Sequence, residues 1–292
     1  VSQDAPTWDL HPGDQITPEL TAVRLLGGGS TYEAYLAFDE VTYAPVVVKV
    51  VRPGRVDDAS ALRGLRREAQ ALAAVNHPVV VRGLRHEEEG PRPHLVLEHL
   101  DGPRLSTLLR RHGRLTEQQY LPLAIEVASA LHYLRHVGWT HLDIKPSNII
   151  MGAPARLIDL SVARPVDQAR ALTAVIGTDD HLSPEQADPS RGEGPGHASD
   201  VWGLCVTLFE AVAGHLPFDR PDRLGATPEE RHPQLVQAPR PLPPRVPTEV
   251  EKVVLAGLEK RPEDRPLPHE VAQACEPVLA RLPAPRLTGW RA

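Results

Sequence analysis

The chain has 292 residues, 41% of them hydrophobic and 24% charged, with a formal net charge of −6. These are the proportions of an ordinary globular protein with room for one large domain or two lobes around a cleft. The acidic balance argues against a nucleic-acid surface, which needs a basic face. No apolar run is long enough to span a bilayer.

Residues 1–17 are polar and contain proline, and read as a loose lead-in. The N-terminus carries no basic-then-apolar leader pattern, and the chain starts at Val1 with Met151 as its sole methionine, so it reads as an excised piece. From about 18 to 100 the pattern is strand-rich: "ELTAVRLLGGGS", "YEAYLAFD" and "APVVVKVV" alternate with turn chemistry. One helix interrupts them, "ASALRGLRREAQALAAV", with Ser60 as its candidate N-cap and "NHP" as its stop. "PVVVRGLRHEEEG" and "PHLVLEHL" read as two further strands, with Glu87–Glu89 as a solvated turn.

Beyond "DGPRL" the period becomes helical. "TEQQYLPLAIEVASALHYLRHVG" opens on a capping box, Thr116 to Gln119, and closes at Gly138; Glu126 within it marks a core helix rather than a membrane span. "ASDVWGLCVTLFEAVAG" and "PTEVEKVVLAGLEK" are later helices, and "PRPLPPRVP" is a connecting loop. Cys205 and Cys275 lie in apolar helical stretches and read as buried free thiols of a reducing compartment. The whole predicts an α+β, two-lobed fold: a lead-in over 1–17, a small lobe over 18–100 built on an antiparallel sheet with one main helix, a larger helical lobe over 101–280, and a tail over 281–292.

Three stretches carry chemistry. In "LLGGGSTYEAY" glycines between two strands let the backbone approach phosphates and offer them N–H groups. Lys49, set among valines in "VVVKV", is an odd cation to bury without an anionic partner, and Glu68 on the helix is the candidate. The chain writes arginine almost everywhere and lysine only at 49, 145, 252 and 260, so 49 and 145 stand out as point charges. In "THLDIKPSNII" an acid, a cation and an amide crowd together as Asp143, Lys145 and Asn148; "ARLIDLSVAR" ends an apolar strand on Asp159. Asn148 and Asp159 offer hard oxygens suited to Mg²⁺, Asp143 can accept a hydroxyl proton, and Lys145 can neutralise a transferring group.

In order and spacing over roughly residues 18–280, these motifs resemble those of the eukaryotic-type serine/threonine protein kinases also found in bacteria. "GGGSTY" resembles the glycine-rich loop, with Gly27 and Gly29 at its first two glycines, Gly28 between them, and Tyr32 in place of the third. The resemblance makes Lys49 and Glu68 the strand lysine and its helix partner. Asp143 becomes the catalytic base, Lys145 the phosphate-neutralising residue, and Asn148 with Asp159 the Mg²⁺ ligands, with Mn²⁺ an acceptable substitute. It further implies that Leu26, Ala34, Val47, Ile150 and Ile158 sandwich the adenine of ATP, with Leu97 as gatekeeper. The backbone of Glu98 and Leu100 would meet the purine edge, and Asp101 or Arg104 the ribose. Glu185 of "SPE" would pair with Arg265, Asp200 would brace the catalytic loop, and Thr178 would bridge to it. The implied partners are ATP and protein substrates bearing serine or threonine, with no nucleic acid. The implied location is cytoplasmic, and tethering of a longer chain stays open because bacterial relatives often continue into a membrane span.

Departures from the pattern sharpen the expectation. Leu142 stands where many kinases carry an arginine that senses phosphate on the activation segment, which implies that phosphate on Thr173 is not the switch through that contact. Leu160 and Ser161 replace the usual phenylalanine and glycine after Asp159. The rival readings are a pseudokinase scaffold that binds ATP, a small-molecule phosphotransferase, and a binding module using the proline-rich loop.

Overall fold

The computed structural model describes residues 6–192, 194–220 and 227–283. Residues 1–5 of the expected lead-in and 284–292 of the expected tail lie outside them. Six strands form one antiparallel sheet: β1 (Gln15–Thr17), β2 (Leu20–Gly28), β3 (Tyr32–Asp39), β4 (Ala44–Val51), β5 (Gly83–Glu87) and β6 (His94–Glu98), in the order β1-β2-β3-β4-β6-β5. Alternation along β4 sorts its side chains. Val46, Val48 and Val50 enter an apolar cluster on one face with Ile16, Leu20, Tyr35 and Val96. Val47 and Lys49 therefore face the other way. The valines flanking Lys49 do not surround it; they point to the opposite side of the sheet.

Helix α1 (Ala59–Ala74) follows β4. Its N-cap is Asp58, whose carboxylate accepts from the Ser60 and Ala61 amides, and not Ser60 as the sequence suggested. An acid two residues earlier wins because its side chain reaches back over the first turn and its charge suits the helix dipole. The strand read into "PVVVRGLRHEEEG" is confined to Gly83–Glu87. Val79 and Val81 instead exchange main-chain hydrogen bonds with Leu157 in the larger lobe, stitching the lobes together. Glu88 of the acidic run is more than a solvated turn, since it accepts from Arg66 Nε of α1 at 2.7 Å. The lead-in also joins the small lobe: β1 pairs with β2, and Trp8 and Leu10 pack on the sheet's apolar cluster.

Residues 99–104 connect β6 to the larger lobe. That lobe contains α2 (Leu105–His112), α3 (Glu117–His136), β7 (Trp139–Thr140), β8 (Ile149–Ile150), β9 (Arg156–Leu157), β10 (Arg164–Pro165), α4 (Val166–Arg170), α5 (Pro184–Ala187), α6 (His197–Ala213), α7 (Pro228–Arg231), α8 (Thr248–Ala256) and α9 (Pro268–Ala280). Thr116 and Gln119 form the expected capping box of α3. Helix α6 is buried on nearly every side, from Ser199 to Val212, and so forms the axis of the lobe. It ends on Gly214 in the left-handed conformation. Cys205 and Cys275 are free and buried, as expected. Two short antiparallel ladders, β7 with β10 and β8 with β9, bracket residues 141–148.

Candidate active site

Between the lobes lies a cleft of about 460 Å³. Its apolar walls include Leu26, Ala34 and Val47 above, Ile150 and Ile158 below, and Leu97 and Leu100 beside the connection. Glu98, Asp101 and Arg104 also line it. The Glu98 side chain is committed elsewhere, to Arg156 and to the Arg82 amide at 2.8 Å, so it ties the connecting segment to both lobes. Gly102 has φ +130° and packs against the Met151 carbonyl where a Cβ has no room.

Gly27 and Gly28 end β2, and Gly29 opens the turn to β3. Gly27 has φ +147°, and a Cβ on Gly28 would press on the Tyr32 carbonyl at 2.7 Å. Gly29 N–H donates to the Tyr32 carbonyl at 3.0 Å and closes the loop.

Lys49 reaches from β4 to Glu68 on α1 at 2.5 Å and to Asp159 at 3.3 Å, across 110 positions of sequence. Burial opposes the ammonium, but Glu68 and Asp159 outweigh it and hold the lysine above its usual pKa. Burial pushes the Glu68 carboxyl up; with an ammonium at 2.5 Å, the charged pair is the state the geometry fits. Asp159 is lowered in spite of burial, chiefly by Lys49. Both Asp159 (φ +66°) and Leu142 (φ +64°) adopt the left-handed backbone that side chains resist, a strain that only surrounding bonds sustain.

Those bonds are visible around Leu142. Asp200, in the first turn of α6, accepts from the His141 amide at 2.9 Å and the Leu142 amide at 2.7 Å. Gln186 donates to the Leu142 carbonyl at 2.8 Å, and the leucine side chain is 3% exposed. Burial pushes the Asp200 carboxyl up to about 7, against the pull of the two amides.

Asp143 follows directly. Its carboxylate receives Lys145 Nζ at 2.7 Å, the Thr178 hydroxyl at 2.8 Å and Asn148 Nδ2 at 3.0 Å. Lys145 also donates to the Thr178 hydroxyl at 2.5 Å, which closes a triangle. Ile158 N–H donates to the Asn148 carbonyl at 2.9 Å, so the β8–β9 ladder sets Asn148 beside the segment that leads from β9 to Asp159. The Lys49–Asp159 pair and the bonded cluster of Asn148, Asp143, Lys145 and Thr178 are therefore joined through the Ile158–Asn148 backbone bond. Farther below, Arg265 grips Glu185 through two hydrogen bonds at 2.7 and 2.8 Å, the pairing expected of them.

The donor set fits a divalent cation. Asn148 Nδ2 donates to the backbone carbonyl and the carboxylate of Asp143, which leaves the amide oxygen for a cation. Asp159 uses Oδ1 for Lys49 and for the Ser161 amide, which leaves Oδ2. Among the described residues no three His, Cys, Asp or Glu side chains cluster to hold a metal by themselves. An ion here would complete its shell with phosphate oxygens and water, as Mg²⁺ prefers.

Sequence reasoning missed the reach of Tyr32. Its hydroxyl donates to the Ala61 carbonyl of α1 at 2.6 Å, and its ring lies 4.9 Å from Lys49 Nζ. Gly64 was the available signal: it sits inside α1 at the one face where a Cβ would strike the Tyr32 hydroxyl.

The protein kinase domain model matches residues 20–275. The chain is 34% identical over 255 residues to the serine/threonine-protein kinase PknB of Mycobacterium leprae, covering 82% of this chain. It is 34% identical over 257 residues to PknB of Mycobacterium tuberculosis, and 29% identical over 268 residues to the serine/threonine-protein kinase PrkC of Bacillus subtilis, covering 83% and 90% of this chain. In each case it spans about 40% of the relative's length. With its matched region running through both lobes and the cleft, the chain belongs to the protein kinase family.

Proposed function

We propose that this domain transfers the γ-phosphoryl group of ATP to serine or threonine hydroxyls of proteins. The observation that carries the reading is the pairing of Lys49 with Asp159 beside the bonded cluster of Asn148, Asp143, Lys145 and Thr178, the two joined through the Ile158–Asn148 backbone bond. Adenine takes the flat apolar slot between Leu26, Ala34, Val47, Ile150 and Ile158, with the Glu98 and Leu100 backbone at its edge. Gly27, Gly28 and Gly29 approach the phosphates, and Lys49, kept charged and aimed by Glu68, holds them. A divalent ion on Asn148 and Asp159, Mg²⁺ by their oxygen chemistry or Mn²⁺ in its place, neutralises phosphate charge when bound.

Asp143 orients the acceptor hydroxyl and takes its proton as the new oxygen–phosphorus bond forms and the bond to ADP breaks. Lys145, within reach of Asp143 and Thr178, offsets charge on the group in transit. Catalysis is then positioning plus charge neutralisation, with little covalent work for the protein. Lys49, Asp143, Asn148 and Asp159, the loss of any one of which would mark a pseudokinase, are all present. Leu142 is buried and cannot bind phosphate, so phosphorylation of Thr173 does not switch the domain through that contact.

Among the described residues no helix is long and apolar enough to cross a membrane. We place the domain in the cytoplasm with its ATP. The test is phosphate transfer from labelled ATP with Mg²⁺ to a protein mixture, comparing wild type with Asp143→Asn. The variant should transfer about 10²–10⁴ times more slowly. Equal labelling by the two proteins, or none by wild type, would sink the reading. Mapping the labelled sites then names the substrates.

A further inference from the structure

Arg52, the residue after β4, is the hub of a network outside the catalytic series. Its main-chain N–H donates to the Thr31 carbonyl at 2.9 Å, and its Nε donates to the Gly29 carbonyl at 2.7 Å. Both acceptors belong to the turn between β2 and β3. The guanidinium Nη1 donates to Glu33 Oε1 at 2.9 Å and to the Pro6 carbonyl at 3.1 Å. Glu33 is only 1% exposed, and its other oxygen accepts from the Tyr35 hydroxyl at 2.7 Å and the Trp8 amide at 3.3 Å. Trp8 is fixed in turn. Its Nε1 donates to the Val51 carbonyl at 2.8 Å, the Arg92 guanidinium lies 4.7 Å from its ring, and it packs with Leu10 on the sheet. A buried carboxylate with this many donors and a fork-shaped cation is a specified arrangement, not an incidental surface pair.

The consequence reaches the phosphate loop. In a trans peptide the C=O and the following N–H point opposite ways. Pinning the Gly29 carbonyl therefore fixes the direction of the Ser30 N–H, and pinning that of Thr31 fixes the Tyr32 N–H. Among the described residues no acceptor receives the Ser30 N–H. It is a directed donor left for a ligand, as in other anion-binding turns.

We propose that residues 6–10 act as a strap that, through Arg52, positions the glycine-rich turn for the triphosphate of ATP. Nucleotide affinity then depends on a segment that precedes the matched kinase region, which begins at residue 20. Arg52 is a positioning residue; the turn's own backbone touches the phosphates. This rests on the nucleotide reading above. The plain alternative is that Trp8 and Leu10 merely cover the sheet's apolar face. That role would alter stability but would not distinguish ligands with phosphates from ligands without them.

Equilibrium binding of ATP and of adenosine to the full chain separates the two. Trp8→Ala and Arg52→Gln should each weaken ATP by about tenfold, the value of one hydrogen bond to a charged group, with adenosine within about twofold of wild type. Arg52→Lys keeps the charge beside Glu33 but loses the fork, and should weaken ATP by an intermediate factor without unfolding the lobe. The double variant should be no weaker than the worse single one, because both act through the same contact. Equal losses for ATP and adenosine would overturn the proposal, as would unchanged ATP binding in folded Arg52→Lys and Arg52→Gln. A wild-type chain that binds neither ligand would overturn the nucleotide reading and the strap's role with it.

Discussion

The two walls of the cleft are built in different ways. On the large-lobe side, residues 141–148 run between two short ladders and rest on α6, the buried axis of that lobe. Asp200 and Gln186 hold them through the backbone around Leu142, and Thr178 holds Asp143 itself. On the small-lobe side, the groups that would meet phosphate hang from a turn and from one strand lysine. They are steadied by a few long side chains: Glu68 from α1, Tyr32 onto α1, and Arg52 onto the turn. On the proposed reading, the half that would orient the acceptor hydroxyl is over-determined, while the half that would hold the triphosphate can be loosened one contact at a time. This matches the chemistry. The base must be placed to within fractions of an ångström, whereas nucleotide must enter and leave.

Breaking the small-lobe wall at its centre should have the largest effect on that side of the cleft. Lys49→Met removes a phosphate contact and leaves Glu68 and Asp159 facing each other without a cation, so phosphate transfer should fall about 10²–10³-fold. Steady-state kinetics on a folded variant check it, and a loss of less than about tenfold would contradict the role given to Lys49.

The large-lobe wall is tested through Asp200. Its folded-state pKa of about 7 lies above the usual 3.8, so the native state holds this proton more tightly than the unfolded chain does. The corresponding stability is complete below about pH 4 and is lost as pH rises through about 7. Thermal unfolding of wild type should show that downward slope. Asp200→Asn should flatten it while lowering stability overall, since an amide cannot accept from both the His141 and Leu142 N–H groups. A wild type and variant with parallel pH profiles would show that the carboxyl titrates normally.

Two smaller changes refine the contrast. Tyr32→Phe deletes the hydroxyl bonded to the Ala61 carbonyl and should cost about 1 kcal/mol in urea unfolding, leaving the Lys49–Glu68 pair intact. Thr173→Ala should leave turnover within about twofold of wild type. A drop of orders of magnitude would mean that phosphate on this segment is sensed at some group other than Leu142.

Much of this was legible in advance because local pattern and chemistry agreed. The Thr116–Gln119 capping box, the helix that ends at Gly214 and the strand character of β4 are set by residues adjacent in sequence. The acid, cation and amide at 143, 145 and 148 were readable for the same reason: short spacing and unusual composition. Reading failed where two weak local signals competed, as at the start of α1, where Asp58 prevailed over Ser60 as the cap. It also failed where a short apolar run looked like a strand. Val79–Val81 had the composition, but their hydrogen-bond partners belong to Leu157, far along the chain.

By itself the sequence determined the division into a sheet-rich and a helical part, the main strands and helices of each, and the inventory of reactive groups, because these follow from backbone periodicity and side-chain chemistry within a few residues. Tertiary structure alone decided that Lys49 meets Asp159 across 110 positions, that Leu142 is held at positive φ, and that Trp8 and Arg52 brace the glycine-rich turn. Such contacts have no local signature. They arise when two packed lobes place distant side chains within hydrogen-bond reach, where charge and burial then fix which ones pair.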